Sequence, residues 1–240
     1  MLYIVGMGPG SKEGMTLQAE EAINKSDLIV GFSTYTKILK KYFPDKKTVS
    51  TGMRKERERV AAALEEAETK TVSLICSGDP ELYGMAGLAL EMSADRPNAD
   101  IEIIPGVTAA MSGGAVLGAP LTSDFAVISL SDILTPREKI RMRLEFAAKC
   151  DLVIVLYNPS SRARSGYLKS ACELIMQYRD PETVCGYVKN IGRDGQESRV
   201  LTLSKLSGVQ ADMFTTVFIG NSETLNIGGK MVTPRGYNNV

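Results

Sequence analysis

Leu2-Tyr3-Ile4-Val5-Gly6-Met7-Gly8-Pro9-Gly10 decides the fold of this chain. Four apolar residues running straight into a glycine-rich turn read as a short strand whose exit loop carries almost no side chain. Such a loop lets backbone pack closely against a neighbour, often a ligand when a helix follows. The arrangement recurs at Val72-Ser73-Leu74-Ile75-Cys76 before Ser77-Gly78-Asp79-Pro80, and at Ile103-Ile104 before Pro105-Gly106-Val107-Thr108-Ala109. In a parallel sheet all three turns fall on one edge, which is where open α/β folds bind small molecules. The fold class is therefore α/β, with a site expected at the strand exits.

Outward from these turns the pattern alternates strand and helix. Thr16 can cap a helix through about residue 25, and Leu28-Ile29-Val30 reads as a second buried strand ending at Gly31. Helices are expected over residues 33–42, 54–69, 82–93 and 107–117, the second with Val60, Leu64 and Ala67 on one stripe of a solvated surface helix. Gly118-Ala119-Pro120 breaks the pattern, which places a domain boundary there and divides the chain into residues 1–120 and 121–240. In the second part, strands are expected at 125–130, 152–157, 183–189, 199–203 and 215–219, with helices at 136–148 and 164–177. Asp194-Gly195 reads as a hairpin turn, and the segment from Asn226 as a polar, glycine-rich tail.

Composition narrows the chemistry. The chain has 240 residues, with 44% hydrophobic and 23% charged residues, ordinary for a globular protein of one large or two compact domains. Lys plus Arg balance Asp plus Glu at 28 each, so no global field draws the chain to nucleic acid or an anionic membrane. The longest apolar run, 152–156, is far below the roughly 20 residues that span a bilayer, and the N-terminal stretch lacks the basic start of a signal peptide. Cys76, Cys150, Cys172 and Cys185 are widely spaced and read as reduced thiols of a cytoplasmic protein. No metal site is expected. There is no histidine, which removes Ser-His-Asp and Cys-His catalysis and favours transfer chemistry over hydrolysis.

The turn at Gly6–Gly10 is a poor dinucleotide fingerprint, because Ser11 stands at the last glycine position and Pro9 removes a backbone donor. Gly78-Asp79-Pro80 reads both as a structural turn and as a carboxylate beside a ligand amine. Asn158-Pro159 closes the most apolar strand, Arg162-Ala163-Arg164 opens a helix, and Lys189-Asn190-Ile191-Gly192-Arg193 puts cations and an amide at another strand exit.

In this order, the Gly6–Gly10, Gly78–Pro80 and Pro105–Ala109 turns and the Tyr157-Asn158-Pro159 turn resemble the tetrapyrrole methylase family over essentially the whole chain. Narrower segments resemble its cobalamin-pathway subgroup, which methylates carbon 17 of a macrocycle while contracting the ring. They include Gly31-Phe32-Ser33-Thr34-Tyr35-Thr36, Thr51-Gly52-Met53, Ser129-Leu130-Ser131-Asp132 and Thr233-Pro234-Arg235-Gly236-Tyr237. Glu81 and Arg137 depart from the subgroup's pattern.

The resemblance implies two α/β domains with a cleft between them, a homodimer, and S-adenosyl-L-methionine as methyl donor, leaving S-adenosyl-L-homocysteine. Carried over by position, donor contacts would fall on Pro9, Ser77, Gly78, Asp79, Leu82, Thr108, Ala109, Asn158 and Asn190. The substrate would be a tetrapyrrole bearing several carboxylates, for which Arg54, Arg137, Arg162, Lys189 and Arg193 are candidate partners. Ring contraction needs a proton acceptor. Asp132, Ser131, Tyr35 and Asp79 are the candidates, with Asp132 first among them. Two other readings remain: a family member acting on another precorrin carbon or on a macromolecule, and a tetrapyrrole carrier without catalysis.

Overall fold

The computed structural model describes residues 1–160 and 166–237, which fall into two compact units, Met1–Thr108 and Ala109–Val240. In the first, strands β1 (Leu2–Gly6), β2 (Leu28–Phe32), β3 (Lys47–Thr51), β4 (Val72–Cys76) and β5 (Ile101–Ile104) form one sheet in the order β3-β2-β4-β1-β5. Every pairing is parallel. The register aligns Gly6 with Cys76 and Val5 with Ile104, so β1, β4 and β5 end level with one another.

Alternation along the strands splits the core into two layers. Leu2, Ile4, Val30, Leu74 and Cys76 pack beneath α3 (Glu56–Glu66) and α4 (Ala86–Ser93). Val5, Met7, Ile29 and Ile75 pack beneath α1 (Leu17–Lys25) and α2 (Ser33–Lys40). The Thr16 hydroxyl caps α1, accepting from the Ala19 backbone N–H at 3.1 Å. Strand β3 was not legible beforehand because it is a largely exposed edge strand, Lys-Thr-Val-Ser-Thr, with no apolar run. The α4 helix starts at Ala86 rather than at residue 82, because residues 79–85 are consumed by the turn after β4.

The second unit contains α5 (Ala109–Leu117), β6 (Gly118–Ala119), β7 (Phe125–Ser129), α6 (Arg137–Lys149), β8 (Val153–Tyr157), α7 (Tyr167–Ile175), β9 (Val184–Lys189), β10 (Glu197–Thr202), α8 (Leu203–Leu206), β11 (Thr215–Ile219), β12 (Leu225–Ile227) and β13 (Lys230–Val232). Its main sheet runs β10-β9-β11-β8-β7. Only β7 and β8 pair in parallel, while β11 is antiparallel to both β8 and β9. Strands β7, β8 and β9 therefore point the same way and share an exit edge.

One face of this sheet is covered by α6, α7 and α8 through Ile140, Leu144, Leu168, Ile175 and Leu203. The other is covered by α5, with Ala110 and Leu117 against Val155, Val188 and Phe218. This explains why the units divide at Thr108/Ala109 and not at the expected 120/121. Helix α5 buries its apolar side on the second sheet, and Gly118-Ala119 is no linker but a strand paired with Met231 and Val232. The expected tail is likewise structured. β12 and β13 form a hairpin, pinned by the fully buried Met231.

Candidate functional site

The three glycine turns of the first unit meet at the exit edge of its sheet. Gly8 and Gly78 exchange backbone hydrogen bonds, at 3.1 Å and 2.9 Å. A Cβ on Gly106 would stand 2.1 Å from the Gly78 carbonyl oxygen and 2.6 Å from that of Gly6, and a Cβ on Gly6 2.7 Å from Gly106 N. No side chain fits between these backbones at Gly6 or Gly106, and Gly78 sits in the left-handed region with φ 66°. The Asp79 carboxylate fastens the same cluster. Its Oδ1 accepts from the backbone N–H groups of Glu81 (2.8 Å) and Leu82 (3.2 Å), and its Oδ2 from that of Gly106 (3.1 Å). Asp79 thus ties the second turn to the third, a role distinct from accepting a substrate proton. Pro9, Ser77, Leu82 and Thr108 lie in these turns, all half-buried.

The neighbouring strands end on the same edge. Tyr35, at the start of α2 after β2, meets Phe32 edge-on, ring centroids 5.3 Å apart. Arg54 follows β3 and is exposed, with φ 61°. The charged run 53–59 reads as a solvated helix start whose cations could face an anionic substrate, and one of them does neither. Arg59 is 3% exposed; its guanidinium donates to Thr51 Oγ1 (2.7 Å), the Gly52 carbonyl (2.8 Å) and Met85 Sδ (3.4 Å), and lies 5.8 Å from the centre of the Phe32 ring. Its position four residues before Ala63, on the buried stripe of α3, was the signal for this. Beneath the turns, burial pushes the Cys76 thiol up to about 11, so it stays protonated at neutral pH and offers no thiolate nucleophile.

The second unit brings together another group. Asn158 and Asn190 follow β8 and β9 directly, both in the left-handed region, with φ 52° and 51°. Asparagine tolerates this backbone better than most residues. The Asn158 Nδ2 donates to Ser129 Oγ (2.9 Å), which also accepts from the Ser131 backbone N–H (3.2 Å), so the exits of β7 and β8 are joined. The Asn190 Nδ2 donates to the Gly195 carbonyl (3.2 Å), closing the hairpin between β9 and β10. Asp132 lies just past β7 and accepts a 2.6 Å hydrogen bond from Tyr167 at the start of α7, whose ring is stacked by Arg137 at 4.7 Å.

Lys189 pairs with Asp212 at 2.9 Å, and Arg193 lies 5.8 Å from the centre of the Phe214 ring. Ala109 opens α5, and the next N–H, on Ala110, donates to the Tyr157 hydroxyl at 2.7 Å. Arg162 lies outside the described residues.

No motif marks Tyr167 or Arg59 in the sequence, and Tyr157 and Ser129 stand in quoted motifs without a role of their own, because the partners of Tyr167, Tyr157 and Ser129 are distant in the chain. Among the described residues, no cluster of three or more His, Cys, Asp or Glu side chains gathers to hold a metal, and no helix is long and apolar enough to cross a membrane.

Residues 1–207 match the tetrapyrrole (corrin/porphyrin) methylases. The chain is 45% identical over 239 residues to a cobalamin biosynthesis protein, CbiHC, of Archaeoglobus fulgidus, covering 99% of this chain and 53% of that one, so it spans about half the length of that relative. It is 43% identical to a probable cobalt-factor III C(17)-methyltransferase of Salmonella typhimurium, over 99% of both chains. Among solved structures, the methyltransferase CobJ superposes with a TM-score of 0.90 at 32% identity, covering 97% of this chain and 99% of that one.

Proposed function

Because the chain belongs to the tetrapyrrole (corrin/porphyrin) methylases, we propose that it is the C-methyltransferase of cobalamin biosynthesis that transfers a methyl group from S-adenosyl-L-methionine to carbon 17 of cobalt-factor III or precorrin-3B, with ring contraction. The observation that supports this reading is the meeting of three glycine turns at one sheet edge, where Gly6, Gly78 and Gly106 pack backbone to backbone and leave Pro9, Ser77, Leu82 and Thr108 half-buried around them. Those half-buried residues are the surface proposed for the donor's nucleoside, and the donor has no phosphate that would call for a dinucleotide fingerprint.

The donor supplies an electrophilic methyl on a positively charged sulfur. Carbon 17 forms the new bond, the S–CH3 bond breaks, and its electron pair stays on sulfur. The chain's task is mainly alignment, since in-line geometry supplies most of what such a transfer needs. Pro9, Ser77, Gly78, Leu82, Thr108, Ala109, Asn158 and Asn190 are the proposed donor contacts, with Asp79 holding the glycine turns in shape. Arg54, Arg137, Lys189, Arg193 and Arg162 are the proposed partners of the substrate's carboxylates. Lys189 already pairs with Asp212, so a substrate carboxylate would meet it in competition with that residue, and Arg137 stacks on the Tyr167 ring.

For ring contraction, Asp132 is the proposed proton acceptor and Tyr167 sets its orientation through the 2.6 Å hydrogen bond. Ser131 and Tyr35 are the alternative proposed acceptors. A cytoplasmic homodimer completes the proposal, and light scattering on the purified protein tests the assembly. The test of function is incubation with methyl-13C donor and either macrocycle, with NMR locating the label. The label is expected on carbon 17, and its absence from the macrocycle would overturn the reading.

A further inference from the structure

Arg59 is the one charged side chain of the first unit's candidate site that is fully buried, and no carboxylate among the described residues pairs with it within 4.0 Å. Its partners are neutral: Thr51 Oγ1, the Gly52 carbonyl, Met85 Sδ and the face of Phe32. A buried cation with no ion-pair contact is costly to keep: desolvation lowers its pKa, and the charge of Glu56 offsets this only in part. The neutral partners belong to three separate segments at the exit edge: the β2 exit, the β3 exit and the start of α4. Two of the three hydrogen bonds go to consecutive residues, Thr51 and Gly52, and this fork geometry is one that lysine cannot reproduce.

Two residues beyond Gly52, Arg54 is exposed in a left-handed conformation that a non-glycine residue adopts only when its surroundings impose it. Resting on the proposed substrate contact of Arg54, we propose that Arg59 is a positioning residue. It anchors the β3 exit so that Arg54 is held, against its backbone preference, in the orientation that meets a carboxylate of the macrocycle. Arg59 itself touches no substrate. The cost of burying its charge is offset by a cation presented with little conformational freedom left to lose on binding.

A double-mutant cycle on the full chain tests this, read as the KM for the macrocycle in the methyl-transfer assay. Arg54→Ala is expected to raise KM by about tenfold, the loss of one charge-assisted contact. Arg59→Gln should raise it by a similar factor, and Arg59→Lys likewise, because the fork and not the charge does the holding. In the Arg54→Ala background Arg59→Gln should add less than about twofold, since the residue it positions is gone. Affinity for S-adenosyl-L-homocysteine, measured by calorimetry, should stay within about twofold throughout.

An undiminished effect of Arg59→Gln in the double variant, or none in the single variant, would overturn the proposal. Rescue by lysine would overturn the fork. If Arg54→Ala alone leaves KM unchanged, Arg54 is no substrate contact and the proposal falls with it, whereas failure of the wild type to transfer methyl at all would sink the functional reading instead. Should the Arg59 variants fail to fold, Thr51→Val, which removes one acceptor at a half-buried position, is expected to raise KM by about threefold, and an unchanged KM there would count against the proposal.

Discussion

Where β1, β4 and β5 end, the chain turns on glycine, and backbone packs on backbone closely enough to leave no room for a Cβ. Where β8 and β9 end, it turns on asparagine, and side-chain amides reach across to Ser129 and Gly195. Both arrangements bend the chain sharply off a strand into an edge crowded with polar backbone groups. The first does so by omission of side chains, which makes it rigid and intolerant. The second uses a residue that accepts the left-handed region at modest cost and adds a hydrogen bond of its own. The contrast predicts a steep gradient of sensitivity between the two edges.

The sharpest test lies at Gly106. Alanine there would force its Cβ to within 2.1 Å of the Gly78 carbonyl, so the turns must open. We expect Gly106→Ala to cost ~3 kcal/mol in the first unit, with loss of S-adenosyl-L-homocysteine binding by calorimetry. A stable variant that still binds would break the account of this edge. Asp79→Ala comes next. It leaves three backbone N–H groups without their acceptor and should cost ~2 kcal/mol by denaturant unfolding, weakening donor affinity through the disordered turns.

At the second edge the effects are smaller and depend on conformation. Asn158→Ala should cost ~1 kcal/mol because alanine resists φ 52°, while Asn158→Gly should recover part of that loss. If glycine proved no better than alanine, the hydrogen bond to Ser129 and not the backbone would be what matters there.

The smallest effect concerns the Lys189–Asp212 pair beside Asn190. Burial alone would raise the Asp212 pKa, but hydrogen bonds from Lys189, the Phe214 N–H and the Thr215 hydroxyl together lower it below its ordinary value. A carboxylate depressed in this way stabilises the fold above the unfolded pKa of about 4 and loses that contribution as pH falls further. The Lys189 pKa is raised by its hydrogen bond to Asp212, so its share is present at neutral pH and fades only above about 10.4. Thermal unfolding of Asp212→Asn should therefore differ from wild type between pH 6 and 9 and converge with it below about pH 4.

How far the sequence could be read follows from the same contrast. The first edge was legible because glycine at strand exits is a local signal, and the parallel order that brings the three turns together follows from alternating strands and helices. What it could not show was Asp79 turned inward to hold Gly106, since that partner is 27 residues away. Strand β3 was missed because an edge strand needs no apolar pattern. The β12–β13 hairpin was missed because one buried methionine carries its packing. The boundary was placed too late because Gly118-Ala119-Pro120 reads as a break, although Gly118-Ala119 is a paired strand. At the second edge Asn158, Asn190 and Asp132 were visible, whereas Tyr167 and Ser129 act through long-range hydrogen bonds that carry no local mark.

Under the proposed function, the residues of the glycine turns and of the two asparagine turns are all donor contacts. Amide hydrogen exchange with and without S-adenosyl-L-homocysteine tests it most directly. The account predicts slowed exchange in residues 6–10, 77–82 and 105–109 and also around Asn158 and Asn190. Protection confined to one edge, or none at the glycine turns, would contradict it.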